Sequence, residues 1–377
     1  MAILLFTGLC AGILYLLQGW LYEYFWGKNL SAEVVFMEHA ITEGEIGRLQ
    51  ETIVNAKLLP LPMIRVKFEI DRSLQFEEEG NISVSDKCYK NDIFSIMLYQ
   101  KITRTIPFRG TKRGYYSIEQ IDLVSTDLFM KATLVGVKPV QTNLFVYPQG
   151  VDTKKLLIPY RKMMGTLLTR RYAYEDPFEF RGIRAYQPFD RMKDINWKAS
   201  AKTGELKVNV HDYTARQEVS LLLNLETEAM LEYEDLKEES IRIVNSLAEW
   251  FLLQGIPVEL LSNGRDIETK KELHIISGSG KNHIHIIREQ LARLDLSQEC
   301  REYGEVLAEQ PAAQGKDTLY ILVSTSQRKK VQKEFNKLCE KSKGSMWILP
   351  LYSDMEERLT DCPLTEWYRW EVGREHG

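Results

Sequence analysis

The chain has 377 residues, of which 44% are hydrophobic and 27% are charged. This composition is typical of folded domains with sizeable cores, and the length predicts two or three domains. The formal net charge of -4 argues against a dedicated nucleic-acid binder, because phosphate binding needs an excess of Lys and Arg on one face. The five cysteines are widely spaced, with no C-x-x-C pair. We therefore expect isolated reduced thiols rather than a disulfide framework or a zinc cluster.

The first segment carries no charged side chain from Ala2 to Tyr22. As a helix it would be about 30 Å long, which is enough to cross a bilayer. Aromatic residues cluster between Trp20 and Trp26, as at a membrane–water interface. A cleaved signal peptide is the alternative, but it would have a basic start, a shorter apolar core and a small-residue cleavage site. We expect a retained single-pass anchor over residues 1–26, and Lys28 after it favours a cytoplasmic body in the cell membrane.

Residues 31–150 are predicted to form a β-sandwich domain. Alternating segments such as MIRVKFEI (63–70), IFSIMLYQKITRTIPF (93–108) and GTKRGYYSIEQIDLVS (110–125) occur here, and short strands between turns are typical of a sandwich. Residues 151–217 then form a connector that is rich in Lys and Arg. A solvated linker is the favoured interpretation of its basic part, and contact with anionic headgroups is the alternative.

Residues 218–377 are predicted to form an α/β domain. The apolar runs VSLLLNL, PVELLS, TLYILVS and SMWILPL are typical of strands buried on both faces. Helical patterns lie between them, and the first of these, from Tyr233 to Gln254, ends at Gly255 and Pro257, as a C-cap and a helix breaker would end it. Alternating strands and helices of this kind indicate a parallel sheet covered by helices.

Ligands of an open α/β sheet bind at the carboxyl ends of its strands. The first strand ends in Asn224-Leu225-Glu226-Thr227-Glu228 and the third in Ser324-Thr325-Ser326. Such oxygen-bearing side chains suit a hard cation, but helix capping is the favoured interpretation. The segment SGSGKNH (277–283) lacks the first Gly and the final Ser or Thr of a phosphate-binding loop. The sequence contains neither H-E-x-x-H nor G-x-S-x-G, and no enzyme activity is predicted.

The densest stretch of polar and aromatic residues runs from Arg184 to Lys202. It resembles the signature of a bacterial membrane-protein family known as domain of unknown function 58, approximately R-x-Y-x-x-G-D-x-x-R-x-I-x-W-x-x-S-A-R. The matching residues are Arg184, Tyr186, Asp190, Ile195, Trp197, Ser200 and Ala201. Phe189 replaces the usual Gly, while Lys193 and Lys202 replace Arg and lose its planar, bidentate grip on a carboxylate.

The resemblance implies a membrane anchor, a β-sandwich and a von Willebrand factor A-like α/β domain with a Rossmann-like parallel sheet. Related domains carry a metal-ion-dependent adhesion site, D-x-S-x-S, after the first strand. In this chain Asn224 stands in place of the Asp, and Glu226 and Glu228 in place of the two Ser residues. We therefore expect a degenerate site and no cofactor, although Mg²⁺ remains the metal that this site would suit. The resemblance also implies a protein partner, with an AAA+ ATPase of the MoxR type as the candidate.

The signature is predicted to be a structural clasp between the β-domain and the first buried strand. Asp190 and Asp194 would pair with Arg184, Arg191 or Lys193, and Trp197 would pack beneath them. A partner-docking surface and a catalytic site are the alternatives. For the whole chain we expect a membrane-anchored, non-enzymatic scaffold or interaction protein acting in cell-envelope processes. A metal-dependent adhesion module and a cell-envelope enzyme with a pocket around Asp190 and His211 are the alternatives.

Overall fold

The computed structural model describes residues 2–76, 82–84, 88–171, 175–186, 192, 195–213, 218–227, 233–310, 318–340, 342, 344–359 and 365–374. At residues 2, 82–84, 88, 153, 164–171, 175–181, 184 and 210–213 the description covers only the backbone. The chain forms two compact units, Met1–Gln149 and Gly150–Gly377. They are called unit 1 and unit 2 below.

Unit 1 begins with an apolar helix, α1, which spans Ala2–Phe25. The helix is long and apolar enough to cross a membrane, as the sequence predicts, and a signal sequence would meet the same criterion. Most of its apolar side chains are exposed, but Tyr22 is buried in the core of unit 1. The Tyr22 hydroxyl donates a hydrogen bond to the Pro60 carbonyl at 2.7 Å. The carboxyl-terminal part of α1 is thus joined to the β-structure that follows.

The rest of unit 1 consists of two sheets. The first contains β1 Leu30–Phe36, β3 Ile46–Asn55, β5 Leu74–Phe76 and β8 Lys101–Gly110, in the order β1-β3-β8-β5. The second contains β2 Ala40–Thr42, β4 Leu61–Ile70, β6 Ile82–Val84, β7 Cys88–Ile96, β9 Gly114–Thr126 and β10 Thr133–Tyr147, in the order β2-β10-β9-β4-β7-β6. Adjacent strands are antiparallel except β2 and β10, which are parallel. Unit 1 is therefore β-rich, as expected for residues 31–150.

The core of unit 1 follows the alternation of its strands. Leu49 and Ile53 of β3 and Val66 and Phe68 of β4 point inward and share one apolar cluster. The alternating segment 93–108 is not a single strand, because a turn that includes Tyr99 at φ 49° separates β7 from β8. These two strands then lie in different sheets. The pattern of alternation continues across the turn because both strands bury one face in the same core.

A charged group interrupts this apolar core. Glu51 of β3 occupies an inward position between Leu49 and Ile53 and is 1% exposed. Asp92 and Lys90 of β7 are equally buried, with Lys90 Nζ 3.4 Å from Asp92 Oδ2. Arg104 of β8 donates to Asp92 Oδ1 at 3.1 Å. Glu51, Asp92 and Lys90 thus place two carboxyl groups and an ammonium group together in the interior of unit 1.

Unit 2 begins with the connector that the sequence predicted to be a solvated linker. This segment forms helix α2, Thr153–Arg171, and its Leu156 and Met163 are buried in the core of unit 2. The linker interpretation is therefore wrong for this part, because two apolar side chains at helical spacing pack against the sheet. An antiparallel pair follows, β11 Glu175–Ala185 and β12 Lys207–Tyr213, with helix α3, Trp197–Thr203, between the two strands.

The main sheet of unit 2 has six strands side by side and one short additional strand. They are β13 Glu218–Asn224, β14 Val258–Asp266, β15 Glu272–Gly278, β17 Thr318–Ser324, β18 Gly344–Tyr352 and β19 Glu366–Val372, and a short β16, Leu294–Asp295, also pairs with β14. The order is β15-β14-β13-β17-β18-β19; β15 and the short β16 are antiparallel to β14, and the other neighbouring pairs are parallel. Counted along the chain this order is 3-2-1-4-5-6, which is that of open doubly wound sheets.

Besides α2, the described helices that accompany this sheet are α4 Glu234–Leu253, α5 Lys281–Ala292, α6 Tyr303–Ala308 and α7 Lys329–Cys339. The central strand β13 shows why the apolar runs are continuous. Its Leu221 and Leu223 belong to one apolar cluster and its Leu222 belongs to another, which also contains Phe335 and Trp347. The strand is therefore buried on both faces, and every residue of VSLLL needs to be small or apolar.

Candidate functional site

The carboxyl edge of the main sheet in unit 2 brings together the ends of β13 and β17. These two adjacent parallel strands lie where the strand order reverses, which is the place where doubly wound sheets bind their ligands. Asn224 ends β13 and Ser324 ends β17, and the Asn224 Nδ2 donates to Ser324 Oγ at 3.0 Å. Both residues are buried. The helix-capping interpretation of these strand ends is wrong, because Tyr233 and Arg328 stand at the N-caps of α4 and α7, and neither cap has a side-chain hydrogen bond.

The side chain of Asn224 organises the backbone of the following turn. Its Oδ1 accepts from the Glu226 N–H at 2.9 Å and from Asn263 Nδ2 at 3.1 Å. Asn263, on β14, in turn accepts from the Leu225 N–H at 2.9 Å and donates to the Arg301 carbonyl at 2.9 Å. The two amides thus satisfy polar groups that would otherwise be buried without partners. An amide suits this role because it both donates and accepts, whereas a carboxylate only accepts.

Glu226 presents a buried carboxylate at the same edge. Its Oε1 accepts a hydrogen bond from Arg328 Nη1, and its Oε2 accepts from the Tyr303 N–H at 3.1 Å. The Glu226 side chain is 8% exposed, whereas that of Arg328 is 42% exposed. Arg328 precedes α7, and Tyr303 begins α6. The guanidinium therefore supplies the positive charge that faces this carboxylate.

The predicted metal ligands Asn224 and Glu226 are engaged with other protein groups. Asn224 offers no negative charge, and both oxygens of Glu226 already accept hydrogen bonds from protein groups. Thr325 is half-buried, and Glu228 lies outside the described residues. Within the part of the chain that the structure describes, there is no cluster of three or more His, Cys, Asp or Glu side chains that could hold a metal ion. The described residues of the edge are thus arranged as a protein ion pair.

Charged side chains surround this edge. Lys330 Nζ contacts Glu302 at 2.8 Å and Glu305 at 3.1 Å, so it joins α7 to α6. Arg301 contacts Glu309 at 2.8 Å and Glu272 at 3.1 Å. All of these side chains are partly or largely exposed. We call Glu226, Arg328, Lys330, Glu302 and Glu305 the edge cluster.

Neighbouring groups are poor candidates for chemistry. Burial raises the pKa of the Cys300 thiol and raises that of the Tyr303 hydroxyl well above its ordinary value. Both groups therefore stay protonated at neutral pH, and a protonated thiol is a weak nucleophile. Arg328, Asn263 and Tyr303 were missed from the sequence. They lie far along the chain from Asn224, and only the sheet order brings them to it.

The described part of the signature holds α3 against β12. Ile195 is buried and bridges to Val208, and the Asn196 N–H donates to the Lys207 carbonyl at 2.8 Å. Asn196 caps α3 by accepting from the Ala199 N–H at 2.9 Å. Ser200 is buried, and its Oγ accepts from the Lys207 N–H at 2.8 Å. These contacts are local and structural, and Asn196 was not among the predicted site residues.

The structure places Trp197 differently from the prediction. Its side chain is 63% exposed and does not pack beneath the stretch. Trp197 is the first residue of α3, directly after the cap Asn196. Ile195, Asn196 and Ser200 hold this short helix to β12 instead. Tyr186 is half-buried and its N–H donates to the Leu206 carbonyl at 2.9 Å, while Lys202 is exposed.

Other signature residues remain predictions. Arg184 pairs with Val208 through the backbone of β11 and β12, and its side chain is not described. Asp190, Arg191, Lys193 and Asp194 lie outside the described residues, so the predicted carboxylate–cation pairs have no structural test. His211 lies on β12, and its side chain is also not described.

The Gly-rich segment 277–283 has a structural role. Gly280, at φ 90°, precedes α5, and buried His283 lies beside Gly278. The His283 Nε2 lies 2.8 Å from the Val258 carbonyl and, because a carbonyl accepts, it donates the hydrogen bond. His285, two residues further, is exposed. The two histidines therefore lie on different sides of α5 and do not form a metal-binding pair.

Comparisons with known proteins identify no family for this chain. No family model and no curated protein matches it. Similar solved structures include the CARDB domain of a Pyrococcus furiosus protein, at 15% identity over 31% of this chain and 93% of that chain, with a TM-score of 0.20. A non-cellulosomal cohesin from Archaeoglobus fulgidus has 13% identity over 31% of this chain and 91% of that chain, with a TM-score of 0.23. A chain of a type I cohesin–dockerin complex from Clostridium thermocellum has 12% identity over 31% of this chain and 99% of that chain, with a TM-score of 0.22.

Proposed function

We propose that this chain is a membrane-anchored, non-enzymatic interaction protein that presents unit 2 to a protein partner. In this proposal α1 fixes the chain in the cell membrane, unit 2 is a von Willebrand factor A-like domain on the cytoplasmic side, and the edge cluster is the docking surface. The resemblance of residues 184–202 to the family of domain of unknown function 58 supports the same assignment.

The observation that carries the proposal is the pairing of Glu226 with Arg328 at the point where the strand order reverses. An adhesion-type metal site binds a partner through a cation that faces the partner's carboxylate. Here Glu226 instead accepts a hydrogen bond from the partly exposed guanidinium of Arg328. Arg328 has further donors, and a guanidinium with free donors can bind a carboxylate in two-point fashion. A metal-free edge of this kind would bind a partner through charge complementarity.

The resemblance implies a MoxR-type AAA+ ATPase as the first partner to test. The edge suits a folded protein rather than a small substrate, because its charges are spread over α6, α7 and the preceding turns. Paired surface charges of this sort set specificity and association rate more than affinity. We therefore expect the binding to weaken as the salt concentration rises.

Two substitutions on α7 provide the test. Lys330→Glu reverses a charge in the edge cluster, while Lys337→Glu makes the same change two helical turns away, at a side chain that is 57% exposed. The tagged full chain would be captured from detergent-solubilised membranes and probed for the ATPase. We expect the wild type and Lys337→Glu to retain the ATPase and Lys330→Glu to lose it. Equal retention of the ATPase by the two variants would show that the edge cluster is not the docking surface. Absence of the ATPase from the wild-type capture would contradict the choice of partner.

A further inference from the structure

The turn between β9 and β10 carries an unusual set of exposed apolar side chains. Leu128, Phe129 and Met130 are consecutive and are 51%, 59% and 62% exposed. Three large apolar residues at one loop tip are uncommon on a surface that faces only water. We call residues 127–131 the hairpin tip.

The hairpin tip lies against the middle of α1. Phe129 contacts Tyr15, with 5.4 Å between the ring centroids, and Lys131 Nζ lies 5.4 Å from the centre of the same ring. Gln18 Nε2 donates to Asp127 Oδ2 at 3.1 Å. The position of the tip along the helix is therefore fixed at Tyr15 to Gln18.

The aromatic residues of α1 give the depth of this contact. Trp20 stacks on Tyr24 at 5.9 Å, and Lys28 Nζ lies 3.5 Å above the Tyr24 ring. Trp and Tyr rings prefer the headgroup level, and a Lys beyond them reaches toward water. Tyr15 lies five residues before Trp20, which is about 7 Å along a helix. A tip that contacts Tyr15 is thus on the membrane side of the aromatic residues.

The polar groups of the tip have hydrogen-bond partners within the protein, as a position near lipid requires. Asp127 Oδ1 accepts from the Lys131 and Ala132 N–H groups at 2.7 and 3.2 Å, and its other oxygen accepts from Gln18. Met130 takes a positive φ of 56° and its N–H donates to the Asp127 carbonyl at 3.0 Å. The carboxylate is therefore satisfied within unit 1, which reduces the cost of placing it near lipid. The long side chain of Lys131 can extend toward the headgroups.

We propose that the hairpin tip inserts into the membrane beside α1, with Leu128, Phe129 and Met130 in contact with the lipid acyl chains. The bilayer is the expected partner of the tip, because the tip contacts α1, and α1 is itself long and apolar enough to cross a membrane. The expected depth of about 7 Å is that of apolar side chains of interfacial elements. This inference rests on the proposed anchoring by α1 and adds a second, monotopic contact that fixes the orientation of unit 1 on the membrane.

Quenching of tryptophan fluorescence by brominated lipids tests the proposal. The full chain would be reconstituted into vesicles of phosphatidylcholine and phosphatidylglycerol with bromine on the acyl chains. Phe129→Trp is the test variant and Leu128→Trp is a second one, in case the first does not fold. Ile46→Trp is the control, because Ile46 is also exposed, at 55%, but lies away from the membrane anchor. It begins β3, and only the opposite end of that strand, at Asn55, lies beside the residues that follow α1.

We expect the emission added by Phe129→Trp to be quenched several-fold more strongly than that added by Ile46→Trp. Equal quenching of both variants, with the wild type retained on the vesicles after a carbonate wash, would overturn the insertion of the tip while leaving the anchor intact. Release of the wild type by carbonate would contradict the anchor and the insertion together.

Discussion

The buried carboxyl group of Glu51 makes the stability of unit 1 depend on pH. Burial, the neighbouring negative charge of Asp92, and only partial compensation by Lys90 and Arg104 raise the pKa of Glu51 to about 8 from an ordinary value of 4.5. The folded state therefore holds a proton that the unfolded state releases across this range. The stability that Glu51 contributes is complete below the unfolded pKa and is lost as the pH rises through the folded pKa.

The size of the effect follows from proton linkage. One proton difference between the two states changes the free energy of unfolding by about 1.4 kcal/mol per pH unit. Between about pH 5.5 and 7.5, the free energy of unfolding of the wild type should fall by about 3 kcal/mol relative to that of a variant in which residue 51 does not titrate. Glu51→Gln is that variant, because it keeps the shape of the neutral acid in the space between Leu49 and Ile53.

The assay must report on unit 1 by itself. Urea unfolding of the full chain in detergent, followed by amide hydrogen exchange of peptides from β3 and β8, does so at each pH. We expect Glu51→Gln to resemble the wild type at low pH and to be the more stable protein at high pH. Parallel pH profiles for the two proteins would show that Glu51 is already ionised in the folded state and would refute the reasoning.

Three further predictions concern unit 2. Trp197→Ala should change the free energy of unfolding by no more than about 0.5 kcal/mol, as at other surface positions, whereas Ile195→Ala should cost about 2–5 kcal/mol; equal losses in chemical denaturation would place Trp197 in a core. Glu226→Ala should cost about 1–3 kcal/mol because the Tyr303 N–H loses its acceptor, and Glu226→Gln, which keeps an acceptor, should cost less in the same assay. Calorimetric titration with Mg²⁺ should give no saturable heat, because Arg328 donates to Glu226; a heat that disappears in Glu226→Ala would contradict the metal-free edge.

Local periodicity in the sequence was enough to predict several elements of this fold. The uncharged run of α1, the alternation in β4 and β9 and the continuous apolar runs of β13, β14, β17 and β18 were all predicted at their positions. Each of these signals is a repeat of buried positions within one element, which hydrophobicity reports directly. The edge strands β15 and β19 were missed because their exposed positions dilute that pattern.

Which distant residues meet depends on how the strands and helices are arranged in three dimensions. The contact of Glu226 with Arg328, the amide pair of Asn224 and Asn263, and the buried Glu51 beside Asp92 each join residues from separate strands or helices. The outward position of Trp197 likewise depends on where α3 begins relative to β12. Such facts follow from strand order and packing, which place side chains by non-local contacts. One amino-acid sequence carries no direct signal of which of its polar side chains will contact one another.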